Sequence, residues 1–272
     1  MIDMLGKRQV KNKTEQVLRS IRPNAGIEAC YRQRLTALVE QMSRSVEYWL
    51  RASYRANRPR IASDESPADA LRRSIRKLVA RWSRKFNEMA ENLAEYFAKS
   101  VADRADGALK KILKDGGWTV DFKMTAAMRD IRDATVHANV QLIKSIPAEY
   151  LGQVEQIVMR GVQTGRDLGQ VSQELQDRLG VSKRRAALIA RTQNSMASTA
   201  FTRARQLELG IDTAIWKHSH AGKKPRPMHV AMNDKQYDVK QGMWDSDEKA
   251  WVHPGQLINC RCFSKGIIKG FV

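Results

Sequence analysis

Leu71-Arg-Arg-Ser-Ile-Arg-Lys-Leu-Val-Ala-Arg-Trp-Ser-Arg-Lys-Phe86 is the stretch that decides the fold class. Its apolar residues Leu71, Ile75, Leu78, Trp82 and Phe86 recur every three or four positions, and Met89, Leu93 and Phe97 carry the same stripe onward. That spacing places them on one face of a helix, in a pattern suited to a bundle or coiled-coil seam. The start of the helix is written just upstream. Ser66 is a capping residue, Pro67 suits the first helical position, and Asp69 puts a negative charge in the first turn, where the helix dipole favours it. The stripe continues through Leu109 and Leu113, and Gly116-Gly117 stops it, because paired glycines free the backbone to turn.

Working outward from this helix, an earlier one is expected over residues 27–54, with Leu35, Leu38, Val39, Met42, Val46, Trp49 and Leu50 in helical register. Residues 56–66 read as a turn-rich connector. A third helix is expected from about 123 to 145 with Met128, Ile131, Thr135 and Leu142 inward, and Pro147 is expected to end it. A fourth covers residues 148–163 and a short fifth 168–179. A sixth is opened by Ser182 as its cap and terminated by Gly210. His137 stands alone on the third helix and reads as a surface or core histidine. Beyond Gly210 the texture changes: the last 62 residues hold three of the six Trp and four of the five His. Thr213-Ala-Ile-Trp-Lys217 and Lys235-Gln-Tyr-Asp-Val239 have strand composition. The expected fold is therefore mainly α, an elongated helical N-terminal body with a small C-terminal α+β module, divided as residues 1–145, 146–210 and 211–272.

Charge narrows the function. The 272 residues carry 48 Lys and Arg against 29 Asp and Glu, a net charge of +19. Four of five successive windows share the surplus; only residues 101–150 are balanced, with eight basic and seven acidic side chains. The densest cluster, Arg72, Arg73, Arg76, Lys77, Arg81, Arg84 and Lys85, lies around the apolar stripe. Such a cluster either contacts phosphates, releasing counterions, or is a solvated helix face. Its recurrence along the chain favours a polyanion such as nucleic acid. No basic-aromatic interleaving supports base-specific reading. No apolar run reaches the length of a membrane span, and the first residues lack a secretory apolar core. Three cysteines, Cys30 alone and the pair in Cys260-Arg-Cys262, make no disulfide framework. A soluble protein of a reducing compartment is expected.

The last 62 residues concentrate the groups that carry chemistry: His218, His220, Arg226, His229, His253 and Asn259-Cys-Arg-Cys262. Three readings stand side by side. Cys260 and Cys262 project from one face of an extended segment and, with His218 and His229, offer a tetrahedral ligand set for zinc. Alternatively, two of His220, His229 and His253 act as general acid and base on a phosphodiester, with Arg226 as the cation, which would make the chain a basic nuclease or a toxin. In the third, His and Cys are packing and hydrogen-bonding groups of a small domain.

The order of several short motifs adds a resemblance. Leu142-Ile-Lys-Ser-Ile-Pro-Ala-Glu-Tyr-Leu151, Gly165-Arg-Asp-Leu168, Ser182-Lys-Arg-Arg-Ala-Ala-Leu-Ile-Ala-Arg-Thr192 and Ala204-Arg-Gln-Leu-Glu-Leu-Gly210 come first. Trp216-Lys-His-Ser219, Pro225-Arg226 with His229, and Pro254-Gly255 before Asn259-Cys-Arg-Cys262 close the series. In this order they resemble the Mu F-like minor head proteins, also called phage head morphogenesis proteins, over roughly residues 140–268. The resemblance implies a tailed-phage minor capsid protein without established catalytic activity. It implies a place inside the capsid near the portal vertex after assembly in the host cytoplasm. The implied partners are the portal protein, packaged double-stranded DNA bound without sequence preference, and other capsid or scaffold proteins. The implied role lies in head assembly, DNA packaging or DNA ejection. Trp216, Pro225, Arg226, His229, Pro254, Asn259, Cys260 and Cys262 then fix the module's fold or dock it.

Overall fold

The computed structural model describes residues 15–56, 67–163, 168–222 and 224–269. Four long helices dominate: α1 (Ala25–Ala56), α2 (Pro67–Asp115), α3 (Ala126–Gln163) and α4 (Leu168–Glu208). The mainly α expectation holds. The stripe that defines α2 is inward as read: Leu71, Ile75, Leu78, Trp82, Phe86, Leu93 and Phe97 are all buried. Met89 is exposed, because Ala90 takes the inward position on that turn. On α1 Trp49 is likewise exposed beside Tyr48 while Leu50 is buried. α2 starts at Pro67 with Asp69 in its first turn, and it ends at Asp115. Gly117 then adopts a φ of 96°, a conformation glycine reaches without steric cost. The connector expected at 56–66 lies outside the described residues apart from Ala56, as does the Ser66 cap.

Two expected breaks are absent. Pro147 does not end a helix; it lies inside α3, which runs unbroken to Gln163. A proline here forgoes one backbone hydrogen bond, a penalty of about 3 kcal/mol. Burial on both sides of it, at Ile143, Ile146, Tyr150, Leu151 and Val154, holds the helix together. The fifth and sixth helices are one, α4, and Ser182 is a buried residue within it rather than a cap. The buried series Val171, Leu175, Ser182, Ala186, Ile189 stays in one helical phase across Gly180, so packing overrides that glycine's local preference for a break. The end of α4 matches expectation. Gly210 has a φ of 72°, and Ile211 N donates to Gln206 O at 2.8 Å, a glycine-terminated helix end.

The chain forms two compact units. One comprises Ala29–Glu95 and Val136–Ala190, wholly helical. Its core is pinned by two buried polar pairs: Tyr31 Oη donates to Asn139 Oδ1 at 2.9 Å, and Tyr150 Oη to Ser43 Oγ at 3.0 Å. Because both partners are buried, each pair specifies register as well as contact. The other unit comprises the described residues up to Glu28, Tyr96–Thr135, and the described residues from Arg191 onward.

This second unit contains the sheet. An antiparallel sheet has the order β1 (Glu15–Val17), β6 (Phe263–Lys269), β2 (Thr213–Lys217), β3 (Gln236–Asp238). β2 and β3 correspond to the two expected strands. A hairpin of β4 (Met243–Asp245) and β5 (Ala250–Val252) stands apart from that sheet, and a short helix α5 (Pro227–Ala231) lies between β2 and β3 in the chain. One core cluster gathers Ala214, Trp216, Met232, Tyr237, Val239, Val252, Cys260 and Cys262. A second gathers Leu18, Leu109, Leu113 and Ile211. Beside it Arg205, 1% exposed, forks onto both carboxylate oxygens of Asp106 at 2.8 Å and reaches Glu208 at 2.7 Å. Those partners are what make a fully buried guanidinium tenable.

Candidate metal centre

Strand β2 alternates, so Ala214 and Trp216 point inward together. Just beyond its end, α5 begins with Arg226 at the cap and Pro227 at the first position, and it delivers His229 into the core. The third contributor is the segment before β6, which carries Cys260 and Cys262; one intervening residue sends both sulfurs to the same side. His229 Nδ1 stands 3.3 Å from Cys260 Sγ and 3.6 Å from Cys262 Sγ. The three ligand atoms lie within 4.8 Å of one another, and all three side chains are buried. Of the four residues the sequence offers for zinc, the structure brings these three together. His218 is outside that group, although it lines the same cleft.

The other face of the imidazole meets Asp245, which sequence reasoning did not single out. Its Oδ2 is 3.2 Å from His229 Nε2, close enough to pair although short of good hydrogen-bond alignment. Asp245 is fully buried, and its Oδ1 accepts from Asp247 N at 2.9 Å and Glu248 N at 3.2 Å, fixing the carboxylate at the β4–β5 turn. The two sulfurs are electronically unequal. A hydrogen bond from Cys262 pushes the Cys260 thiol well below its ordinary range. As the donor to Cys260, and through burial, the Cys262 thiol is pushed up. Trp216, fully buried, packs edge-on against His229 at 5.1 Å between ring centroids.

The motif residues around the centre have identifiable work. Asn259 adopts a φ of 59°, which asparagine tolerates better than most residues. Its backbone N–H donates to Thr192 Oγ1 at 3.1 Å, and its Oδ1 accepts from Arg191 at 3.1 Å, tying the cysteine segment to α4. Pro254 is buried and its carbonyl accepts from Thr199 Oγ1 at 2.7 Å. Arg226 donates to Ile258 O at 3.2 Å and pairs with Glu248 at 3.5 Å. Pro225 is exposed at the rim. The cleft over the centre has a volume of about 1040 Å³; Arg191, Lys224, Arg226 and Arg261 line it, with no carboxylate among its lining residues.

The three histidines of the hydrolytic reading are placed differently. His220 is exposed, and its backbone N–H donates to His218 Nδ1 at 3.2 Å. His253 is 8% exposed, with Nε2 3.1 Å from Val239 O, and it is absent from the cleft lining. Of the three, His229 alone lines the cleft. His137 is exposed on α3. On α2, Arg72, Arg73, Arg76, Lys77, Arg81 and Arg84 are exposed, whereas Lys85 is half-buried, bonded to Gln41 at 2.9 Å and over the Trp82 ring at 4.9 Å.

With this geometry in place, comparison with known proteins is informative. Residues 152–264 match the family described as phage Mu protein F like protein. Over those residues the chain is similar to Mu F-like proteins. The matched region takes in α4, β2–β5, α5 and the whole His229–Cys260–Cys262 centre. The family is one of structural bacteriophage head proteins, and the match points to head morphogenesis and to the virion. A protein of Haemophilus influenzae, described only as uncharacterized, is 28% identical over 243 residues. That alignment covers 86% of this chain and 52% of the relative, so the chain spans about half the length of the curated relative it matches. No solved structure matches the chain. Among the described residues no helix is long and apolar enough to cross a membrane.

Proposed function

We propose that the chain is a minor capsid protein that resides inside the phage head near the portal vertex and touches packaged double-stranded DNA without reading its sequence, serving head assembly, DNA packaging or ejection. The Mu F-like match over residues 152–264 carries the virion role. The DNA contact rests on a separate observation: six cations of α2 stand exposed around the buried residues Leu71, Ile75, Leu78, Trp82 and Phe86. Exposed Lys and Arg in such numbers displace counterions from phosphates, a gain independent of base sequence.

DNA affinity measured against salt tests this contact. Each phosphate neutralised contributes about −0.9 to the slope of log K against log salt. The triple variant Arg72→Glu, Arg76→Glu, Arg84→Glu should flatten the slope by about three units, since each phosphate-contacting cation contributes about one. It should leave the fold intact, because all three side chains are exposed. A wild-type slope near zero would refute the contact. Portal association is tested by co-expressing the chain with the portal protein encoded by the same phage and asking whether the two co-purify. Plasmid and RNA incubation tests the hydrolytic alternative; cleavage that disappears in His229→Ala would replace the proposed reading.

A further inference from the structure

We infer that His229, Cys260 and Cys262 hold a thiophilic divalent cation of the zinc class, with its remaining coordination position facing the basic cleft. This inference is independent of the capsid reading and stands on the side chains alone. Metal–sulfur bonds of about 2.3 Å and metal–nitrogen bonds of about 2.0 Å at tetrahedral angles set the sulfur-to-nitrogen edge at about 3.5 Å. The observed edges are 3.3 and 3.6 Å. Both nitrogen–sulfur edges thus match those of a tetrahedral site.

The electronics agree with the distances. Asp245 Oδ2, facing Nε2 at 3.2 Å, favours the tautomer with the proton on Nε2 and leaves the Nδ1 lone pair directed at two sulfurs. Three donor atoms then converge on one buried point, where a single cation fits. A carboxylate behind a histidine is also the usual outer support of a metal-bound imidazole, orienting the ring and raising its basicity. Asp245 has no other structural reason to be buried beside that ring, since its turn contacts use only Oδ1. The ligand set of two sulfurs and one nitrogen selects zinc-class ions over magnesium or calcium, which prefer oxygen.

His218, Arg191, Lys224, Arg226 and Arg261 line the cleft above the three ligands. With three protein ligands the ion retains one position on that side, open to water or to an anionic group drawn in by the surrounding cations.

The test uses the full chain, purified without chelator, with metal content measured and Co²⁺ then exchanged into the site. Close to one zinc per chain is expected, and the cobalt form should show thiolate-to-metal charge-transfer absorption with visible bands of tetrahedral intensity. Mg²⁺ should not compete. Asp245→Asn, which keeps an Oδ1 acceptor for the turn, should weaken the metal 10–100-fold, as loss of an outer-shell partner does. His218→Ala should leave stoichiometry and spectrum unchanged. Cys260→Ser and Cys262→Ser should each weaken the charge-transfer band to that of a single thiolate, and the double variant should abolish it. If either variant fails to fold, the wild-type spectrum and the Asp245→Asn affinity still decide. Folded wild-type protein that contains no metal and gives no cobalt spectrum would overturn the inference, as would loss of the ion on His218→Ala.

Discussion

At the scale of single residues, Gly255 shows how closely the cysteine segment is held. Its φ is 89°, and a Cβ built there would lie 2.5 Å from Thr199 Oγ1 and 3.1 Å from Cys262 O. Gly255→Ala should therefore destabilise the protein by about 1–3 kcal/mol, through backbone strain plus the clash, measured by denaturant unfolding. A change within about 0.5 kcal/mol, typical of a neutral surface substitution, would mean the approach is looser than described. His253 makes a pH prediction. Burial, with Arg203 adding to it, holds its pKa below the ordinary histidine value, while the Val239 carbonyl, Gln256 and Asp238 act in the opposite direction. The unfolded chain therefore takes up this proton first as pH falls, near about 6.5. The sign follows: the contribution of His253 to stability is complete above that pH and is lost progressively below it. Melting temperatures from pH 7.5 down to 5 should fall less steeply for His253→Gln than for wild type; an identical slope would contradict this.

At the scale of elements, the helices were legible because their signal repeats: eight apolar positions from Leu71 to Phe97 outvote any single exception such as Met89. The breaks expected at Pro147 and ahead of Ser182 misled for the complementary reason. Each is a one-residue local signal, and burial along the flanking turns outweighs it. A direct consequence concerns Gly180. It lies within α4, has ordinary helical φ, and an added Cβ would meet only Arg184 Nη1 at 3.5 Å. Gly180→Ala should stabilise the protein by about 0.5–1 kcal/mol and raise the melting temperature. Destabilisation would restore the break between two helices. Most strands were hidden from the sequence for a different reason. Glu15–Val17 pairs with residues 267–269, some 250 positions away, and a three-residue strand carries too few alternations to show a period. The site was half legible in the same way. Cys260-Arg-Cys262 and His229 advertise themselves, but Asp245 looks like any turn aspartate until the fold sets its second oxygen against the imidazole.

At the scale of the whole molecule, the net charge of +19 separates into two populations. Some cations are structural, such as Arg205 buried against Asp106. Others, such as Arg76, Lys77, Arg81 and Arg84 on α2, are exposed and are the ones that the proposed DNA contact uses. The matched region begins within α3 and takes in strands β2–β5, so the family match and the metal-site geometry fall on the same part of the chain. The helical stretch before residue 152 lies outside that match. The central claim, that this chain is a component of the phage head, is tested most directly by quantitative mass spectrometry of purified DNA-filled particles from a lysogen that encodes it. The account predicts that the chain is present in those particles at a small, fixed ratio to the major capsid protein. Its absence from DNA-filled particles while it accumulates free in the lysate would contradict it.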